Sequence, residues 1–168
     1  MTSESDTRLT PMTPADVDAV AALARSVWQT TYPALISQAQ MDAMLADRYA
    51  ATRMRAQLDD PTHAWYVAWR GDTAVGFAHA YLDTDACKLD KLYVHAAQQR
   101  QGVGKALLAA VEAWARAQHA RRLRLQVNRG NAQALRAYAK YGFAIVESRV
   151  FDLGNGFVMD DHIMEKPL

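Results

Sequence analysis

Apolar residues first gather at helical spacing in the opening third of the chain. Val17, Val20, Ala21, Ala24, Val27 and Trp28 fall on one face, and Pro33 ends the pattern. Thr13 as N-cap, Pro14 at the first helical position and Asp16 three residues beyond Thr13 give that helix its start. Before it, residues 8–10 read as a short strand, and residues 1–6 are polar and expected to be frayed. Leu35, Ile36, Met41, Met44, Leu45, Met54 and Leu58 recur more sparsely and predict one or two further helices ending near Pro61. The period then changes. Residues 65–69 and 74–81, rich in aromatic and β-branched side chains, flank Gly71-Asp72 and predict a hairpin, and residues 88–94 continue as strand. Val103, Leu107, Ala110, Val111 and Trp114 share one helical face. Residues 122–127 alternate at period two, residues 131–141 are helical until Gly142, and residues 143–151 and 157–165 form two last strands joined across Gly154-Asn155-Gly156.

This order predicts one mixed α/β domain of the α+β type, with a mostly antiparallel sheet of about seven strands flanked by helices. A length of 168 residues, 51% of them hydrophobic, supports a single sizeable core, and no repeat or linker marks a second domain. The formal net charge of +1 gives no field that would gather nucleic acid or a membrane surface, so the expected partner is a small molecule. Cys87 is the single cysteine, which excludes an intramolecular disulfide. Neither a leader-like apolar segment nor a bilayer-length apolar run is present, and the expectation is a soluble cytoplasmic protein. An edge strand near the C-terminus is compatible with a homodimer.

The glycines between the third strand of the middle group and the next helix, Gln99-Arg100-Gln101-Gly102-Val103-Gly104-Lys105, invite three phosphate-binding readings. A P-loop needs a glycine where Gln99 stands and a Ser or Thr where Ala106 stands. A dinucleotide-binding turn needs a third glycine where Leu107 stands, and an acid about twenty residues further on, where the chain is basic. What survives is the general mechanism, in which side-chain-free backbone lets amide N–H groups at a helix N-terminus approach a diphosphate.

Gln99, Gly102 and Gly104, followed by Asn131, Ala134, Tyr138, Gly142 and Phe143, carry two signatures that resemble the GCN5-related N-acetyltransferase superfamily. With Trp28 to Pro33 and the terminal strand, the likeness spans nearly the whole chain. These outer segments look most like bacterial polyamine acetyltransferases and peptide N-terminal (ribosomal-protein) acetyltransferases. The resemblance implies acetyl-CoA as cosubstrate and acetyl transfer to a primary amine of a small molecule or peptide. It also implies a parallel strand pair, around Leu92 and Leu125, that splays to admit the cofactor. The backbone of Gln99, Arg100, Gln101, Gly102, Val103, Gly104 and Lys105 would cradle the pyrophosphate. That of Leu92, Tyr93 and Val94 would pair with the pantetheine arm as an added strand. Asn131, which is also a good N-cap, would contact CoA.

Thioester aminolysis needs an acceptor for the amine proton and a donor for the departing thiolate. The resemblance puts the donor at Tyr138; on a helical wheel Asn131, Leu135 and Tyr138 share a side, from which Tyr141 is expected to turn away. The base does not carry over. Gln126 and Lys88 stand where relatives place a glutamate, and Asp90, on the Lys88 face of its strand, is the nearest carboxylate. His79, Asp83, Glu147 or a water relay are alternatives. Asp83, Asp85 and Asp90 could select a cationic acceptor, and Trp28 and Tyr32 could wall its pocket. Arg116, Arg121, Arg122, Arg124 and Arg129 could meet the adenosine 3′-phosphate or form a solvated basic face. His63, His79, His95, His119 and His162 lack metal-ligand spacing, so no metal is expected, and Cys87 has no nucleophile signature. The missing glutamates leave open a non-catalytic acyl-CoA sensor or interaction module, against which Tyr138 counts.

Overall fold

The computed structural model describes residues 7–84 and 86–168, so the expectations for residues 1–6 and for Asp85 lie outside it. The helix start falls where Thr13 and Asp16 place it. The Thr13 amide and hydroxyl both donate to Asp16 Oδ2, at 2.9 and 3.0 Å, and the chain passes through a single 3₁₀ turn, Pro14–Asp16, into α1 (Val17–Thr31). The sparse apolar segment becomes two helices, α2 (Gln38–Arg48) and α3 (Ala51–Leu58). The strands are β1 (Thr7–Pro11), β2 (His63–Arg70), β3 (Thr73–Asp83), β4 (Ala86–Val94), β5 (Arg122–Asn128), β6 (Ala144–Gly154) and β7 (Phe157–Pro167). Helices α4 (Val103–Ala117) and α5 (Ala132–Lys140) complete the chain. No helix among the described residues is long and apolar enough to cross a membrane.

All seven strands join one sheet in the order β1-β2-β3-β4-β5-β7-β6, antiparallel throughout except for β4 beside β5. Each face is covered by helices, so two cores form. On one face Leu107, Leu108 and Val111 of α4 meet Leu123, Leu125 and Met164, with α5 beside them through Ala134, Leu135 and Tyr138. On the other, Val20, Trp28, Met41 and Met54 of α1 to α3 meet Trp65, Val67 and Phe77. Strand β5 shows why it alternates: Leu123, Leu125 and Val127 are buried, while the residues between them are partly exposed. Strand β6 is the outer strand and leaves Ile145, Val146 and Val150 exposed.

The parallel contact is short, and it ends before Leu92 and Leu125, around which the splay is expected. Only Cys87↔Leu123 and Lys88↔Arg124 pair, so Leu92 and Leu125 lie beyond the last rung, where the strands have parted. The cause is local to β4. Its partner β3 matches His79 with Lys91 and Ala80 with Leu89, which leaves Asp90 as the extra residue of a β-bulge. A bulge bends and twists its strand, and here it turns β4 away from β5 while bringing Asp90 and Lys91 to the same face.

Helix α4 is seated on the sheet chiefly through Leu107, which is fully buried. Leu107→Ala is expected to lower unfolding free energy by about 2–5 kcal/mol, read as a shifted urea midpoint at unchanged m-value.

Candidate active site

Where β4 and β5 part, a cleft of about 630 Å³ opens. One end is the turn into α4, contributing Gln99, Arg100, Gly102 and Gly104. Arg100 and Gly102 both adopt left-handed backbone (φ 65° and 81°), which glycine tolerates and other residues enter at a cost. The first intrahelical amide donor is Ala106, to the Gly102 carbonyl at 3.0 Å, so the preceding N–H groups have no helical acceptor. A Cβ on Gly104 would sit 3.6 Å from Tyr141 Oη and from Val94 Cγ2, an ordinary contact. Packing therefore does not demand glycine there, whereas a ligand approaching the backbone would. Gln99 anchors the turn: its Nε2 donates to the Val94 carbonyl at 3.2 Å, and its Oε1 accepts from Gln133 of α5 at 3.0 Å. Asn131 caps α5 by accepting from the Ala134 amide at 3.2 Å, and it also lines the cleft.

The middle of the cleft is walled by Leu92, Tyr93 and Val94 on one side and by Leu125, Val127 and Asn128 on the other. Tyr138 reaches it from α5, with its ring edge-on to Phe143 at 5.6 Å between centroids. Burial raises its phenol above the usual tyrosine range, so it carries its proton throughout the physiological range. Tyr141 lines the same cleft instead of turning away, because residues three apart on a helix share a face.

The far end is an aromatic chamber. Trp28 and Tyr32 lie 4.8 Å apart, and the Tyr32 hydroxyl shares a 2.8 Å hydrogen bond with that of Tyr93. Four charged side chains also enter: Arg48, Lys88, Asp90 and Asp161. Lys88 donates to Gln126, so the two positions where a glutamate would stand bond to each other. Asp90 accepts from Lys91 at 2.6 Å and lies 3.3 Å from His79 Nδ1. Burial alone would raise its carboxyl, but the His79 hydrogen bond and the Lys91 charge outweigh that and hold it well below the usual carboxylate range. His79 stacks on Trp65 at 4.4 Å and meets His63 Nδ1 at 2.8 Å, and burial pushes its pKa down to about 4. Asp161 of β7 is the opposite case. It is 2% exposed, its Oδ1 accepts no hydrogen bond among the described residues, and burial raises its pKa to about 6.

Several expectations sort accordingly. Gln101 and Val103 face elsewhere, Gln101 bonding to Arg70 and Val103 packing in the core, while Lys105 is exposed on α4; what these three bring to the turn is backbone. Asp83 lines a separate depression beside β6, and Glu147 pairs with Arg149 at 2.6 Å there. Within the basic stretch, Arg124 pairs with Glu165 at 2.8 Å and Arg129 with Asp160 at 3.0 Å. The cations that border the α4 end of the cleft are instead Arg100, Arg136 and Lys140. Arg48 and Asp161 escaped the sequence reading altogether. For Asp161 a signal existed: β7 alternates, and an acid stands on the inward stripe shared with Met159 and Ile163.

Comparison with known proteins fits this geometry. The sequence model of the Acetyltransferase (GNAT) family matches residues 23–143. Uncharacterized N-acetyltransferases of Mycobacterium bovis and Mycobacterium tuberculosis are 32% identical over 149 residues, covering 86% of this chain and 96% of theirs. This chain belongs to the GNAT acetyltransferase family. Among solved structures, the PaiA N-acetyltransferase from Thermoplasma acidophilum, in complex with coenzyme A, shares the fold with a TM-score of 0.84 at 21% identity, over 96% of this chain and 99% of that one. A GCN5-related N-acetyltransferase from Rhodopseudomonas palustris follows at 0.80 and 26%, over 98% and 97%. The GNAT protein is thus an acetyl-CoA-dependent N-acetyltransferase.

A buried, unpartnered carboxylate in this GNAT enzyme has a thermodynamic signature. Asp161 binds its proton more tightly folded than unfolded, so its contribution makes stability fall as pH rises from about 4 through about 6. Asp161→Asn removes the charge and keeps the shape. It is expected to raise unfolding free energy by about 2 kcal/mol at pH 8, with the gain vanishing below pH 4. Denaturant melts at the two pH values check this.

Proposed function

We propose that the enzyme transfers the acetyl group directly to a primary amine of a small molecule or peptide seated in the aromatic chamber, with Asp161 taking the amine proton and Tyr138 supplying one to the departing sulfur. The observation that carries this reading is the continuity of one cleft from the α4 N-terminus, past Tyr138, to Asp161. Bound acetyl-CoA supplies the acetyl group as a thioester. The α4 turn, from Gln99 to Lys105, holds the pyrophosphate with backbone N–H groups and the helix dipole. Arg100, Arg136 and Lys140 add positive charge beside it. Freed from β5, the Leu92 to Val94 stretch of β4 offers peptide groups to the amide-bearing pantetheine arm, and Asn131 borders the same path.

Each proton then has a destination. An alkyl ammonium, with a pKa of about 10.4, cannot attack until it loses a proton. Asp161, with a pKa of about 6, is ionised at neutral pH yet basic enough to receive it. Asp90 is the weaker base, because Lys91 and His79 already stabilise its charge. As the amine nitrogen bonds to the acetyl carbon and the carbon–sulfur bond breaks, Tyr138 protonates the thiolate. Trp28 and Tyr32 shape the acceptor side and limit water.

Thiol release with a broad panel of primary amines, polyamines and N-terminal peptides included, tests the whole reading; silence from every amine by a protein that binds acetyl-CoA would overturn it. Tyr138→Phe should lower turnover about 10- to 100-fold while leaving CoA affinity within about twofold, and unchanged turnover removes the acid role. The wild-type pH profile of kcat/KM should rise through an apparent pKa near 6 that Asp161→Asn abolishes. Gly102→Val forces a β-branched residue into left-handed backbone. It should weaken CoA binding at least about tenfold by calorimetry, and intact affinity counts against the cradle.

A further inference from the structure

We infer that the acceptor is a zwitterion, a small amino acid-like molecule with an apolar side chain, whose carboxylate docks on the Arg48 guanidinium while its amine meets Asp161. This rests on the acetyl-transfer reading of the same cleft. The inference comes from sorting the chamber's charges by what each already touches. Asp90 is held by Lys91, and Lys88 donates to Gln126 and lies 3.9 Å from Asp90. Arg48 and Asp161 remain. Arg48 ends α2, is half-buried in the cleft wall, and makes no hydrogen bond or ion pair among the described residues, although its neighbour Asp47 is bridged by Arg53 at 3.0 Å. Its charge is felt by Tyr32, Lys88 and Asp161, which places the guanidinium on the chamber side of its helix. The two do not satisfy each other, since no ion pair within 4.0 Å joins them.

A buried carboxylate and a cleft-facing guanidinium that both lack partners are costly in isolation. A ligand of matching polarity relieves both at once. The guanidinium fork suits a carboxylate better than any neutral group, because it presents parallel N–H donors in one plane. A polyamine fits poorly, for it would bring a second ammonium against Arg48 where the remaining charges are one positive and one negative. A peptide N-terminus supplies the amine but not the adjacent carboxylate. Trp28, Ile36, Met44, Phe151 and Met159 line the same cleft, which calls for an apolar side chain on the acceptor.

The test compares phenylalanine, phenylalaninamide, phenethylamine and spermidine as acceptors, and measures the binding of phenylalanine to the CoA-loaded protein by calorimetry. Phenylalanine should exceed each of the other three at least about tenfold in kcat/KM. Arg48→Met should erase that preference and weaken phenylalanine binding by a similar factor. Arg48→Gln serves as the second variant, and retained CoA affinity shows that both fold. Equal use of phenylalanine and phenethylamine, or a preference that survives both Arg48 substitutions, overturns the inference and leaves acetyl transfer standing. Thiol release from none of the four, extended over the broad panel, sinks acetyl transfer itself; calorimetry then decides alone, and absence of phenylalanine binding overturns the zwitterion.

Discussion

A peptide group that leaves its ladder must find another partner, and the parting of β4 from β5 after Lys88 and Arg124 imposes that demand at the centre of the molecule. A single extra residue in β4 bends the strand and frees the stretch from Leu89 to Val94 on its β5 side. The rest of the site is arranged around this gap. Helix α4 begins where β4 ends, so its free amides face the same opening, and α5 closes the opposite wall with Tyr138 and Tyr141. The two cores, one on each face, hold the sheet rigid enough for the gap to persist.

The bulge has a second effect, electrostatic where the first was geometric. By bringing Asp90 and Lys91 to one face it neutralises a buried lysine that would otherwise be isolated beneath Tyr49 and Trp65. His79, stacked on Trp65 and kept neutral, completes that cluster. The result is a charge group at the chamber wall whose members satisfy one another, and a pair in the same cleft, Arg48 and Asp161, that do not. Fixed charges without internal partners destabilise the empty protein, and they are retained where a ligand supplies what is missing.

The α4 end of the cleft was readable along the chain because its parts are local. The Gln99 to Gly104 turn and the Asn131 to Phe143 helix each act within a dozen residues, and helix starts, caps and glycine conformation are short-range matters. Even there, one local inference failed: Tyr141 joins Tyr138 at the cleft, since three residues bring a helix most of the way round. The aromatic chamber was nearly silent. Asp90 could be named, but not that Lys91 and His79 would occupy it, and Arg48 and Asp161 come together from α2 and β7 across more than a hundred residues.

By itself, then, the sequence determined the elements, their order, the single α/β domain and the glycine turn into α4, because hydrophobic period and turn chemistry are written in neighbouring residues. Only the tertiary structure decided where the parallel pair ends, which carboxylate is paired and which is free, and what lines the aromatic chamber. Strand register, burial and the pairing of distant charges set a side chain's chemistry, and none of these exists until the sheet is assembled.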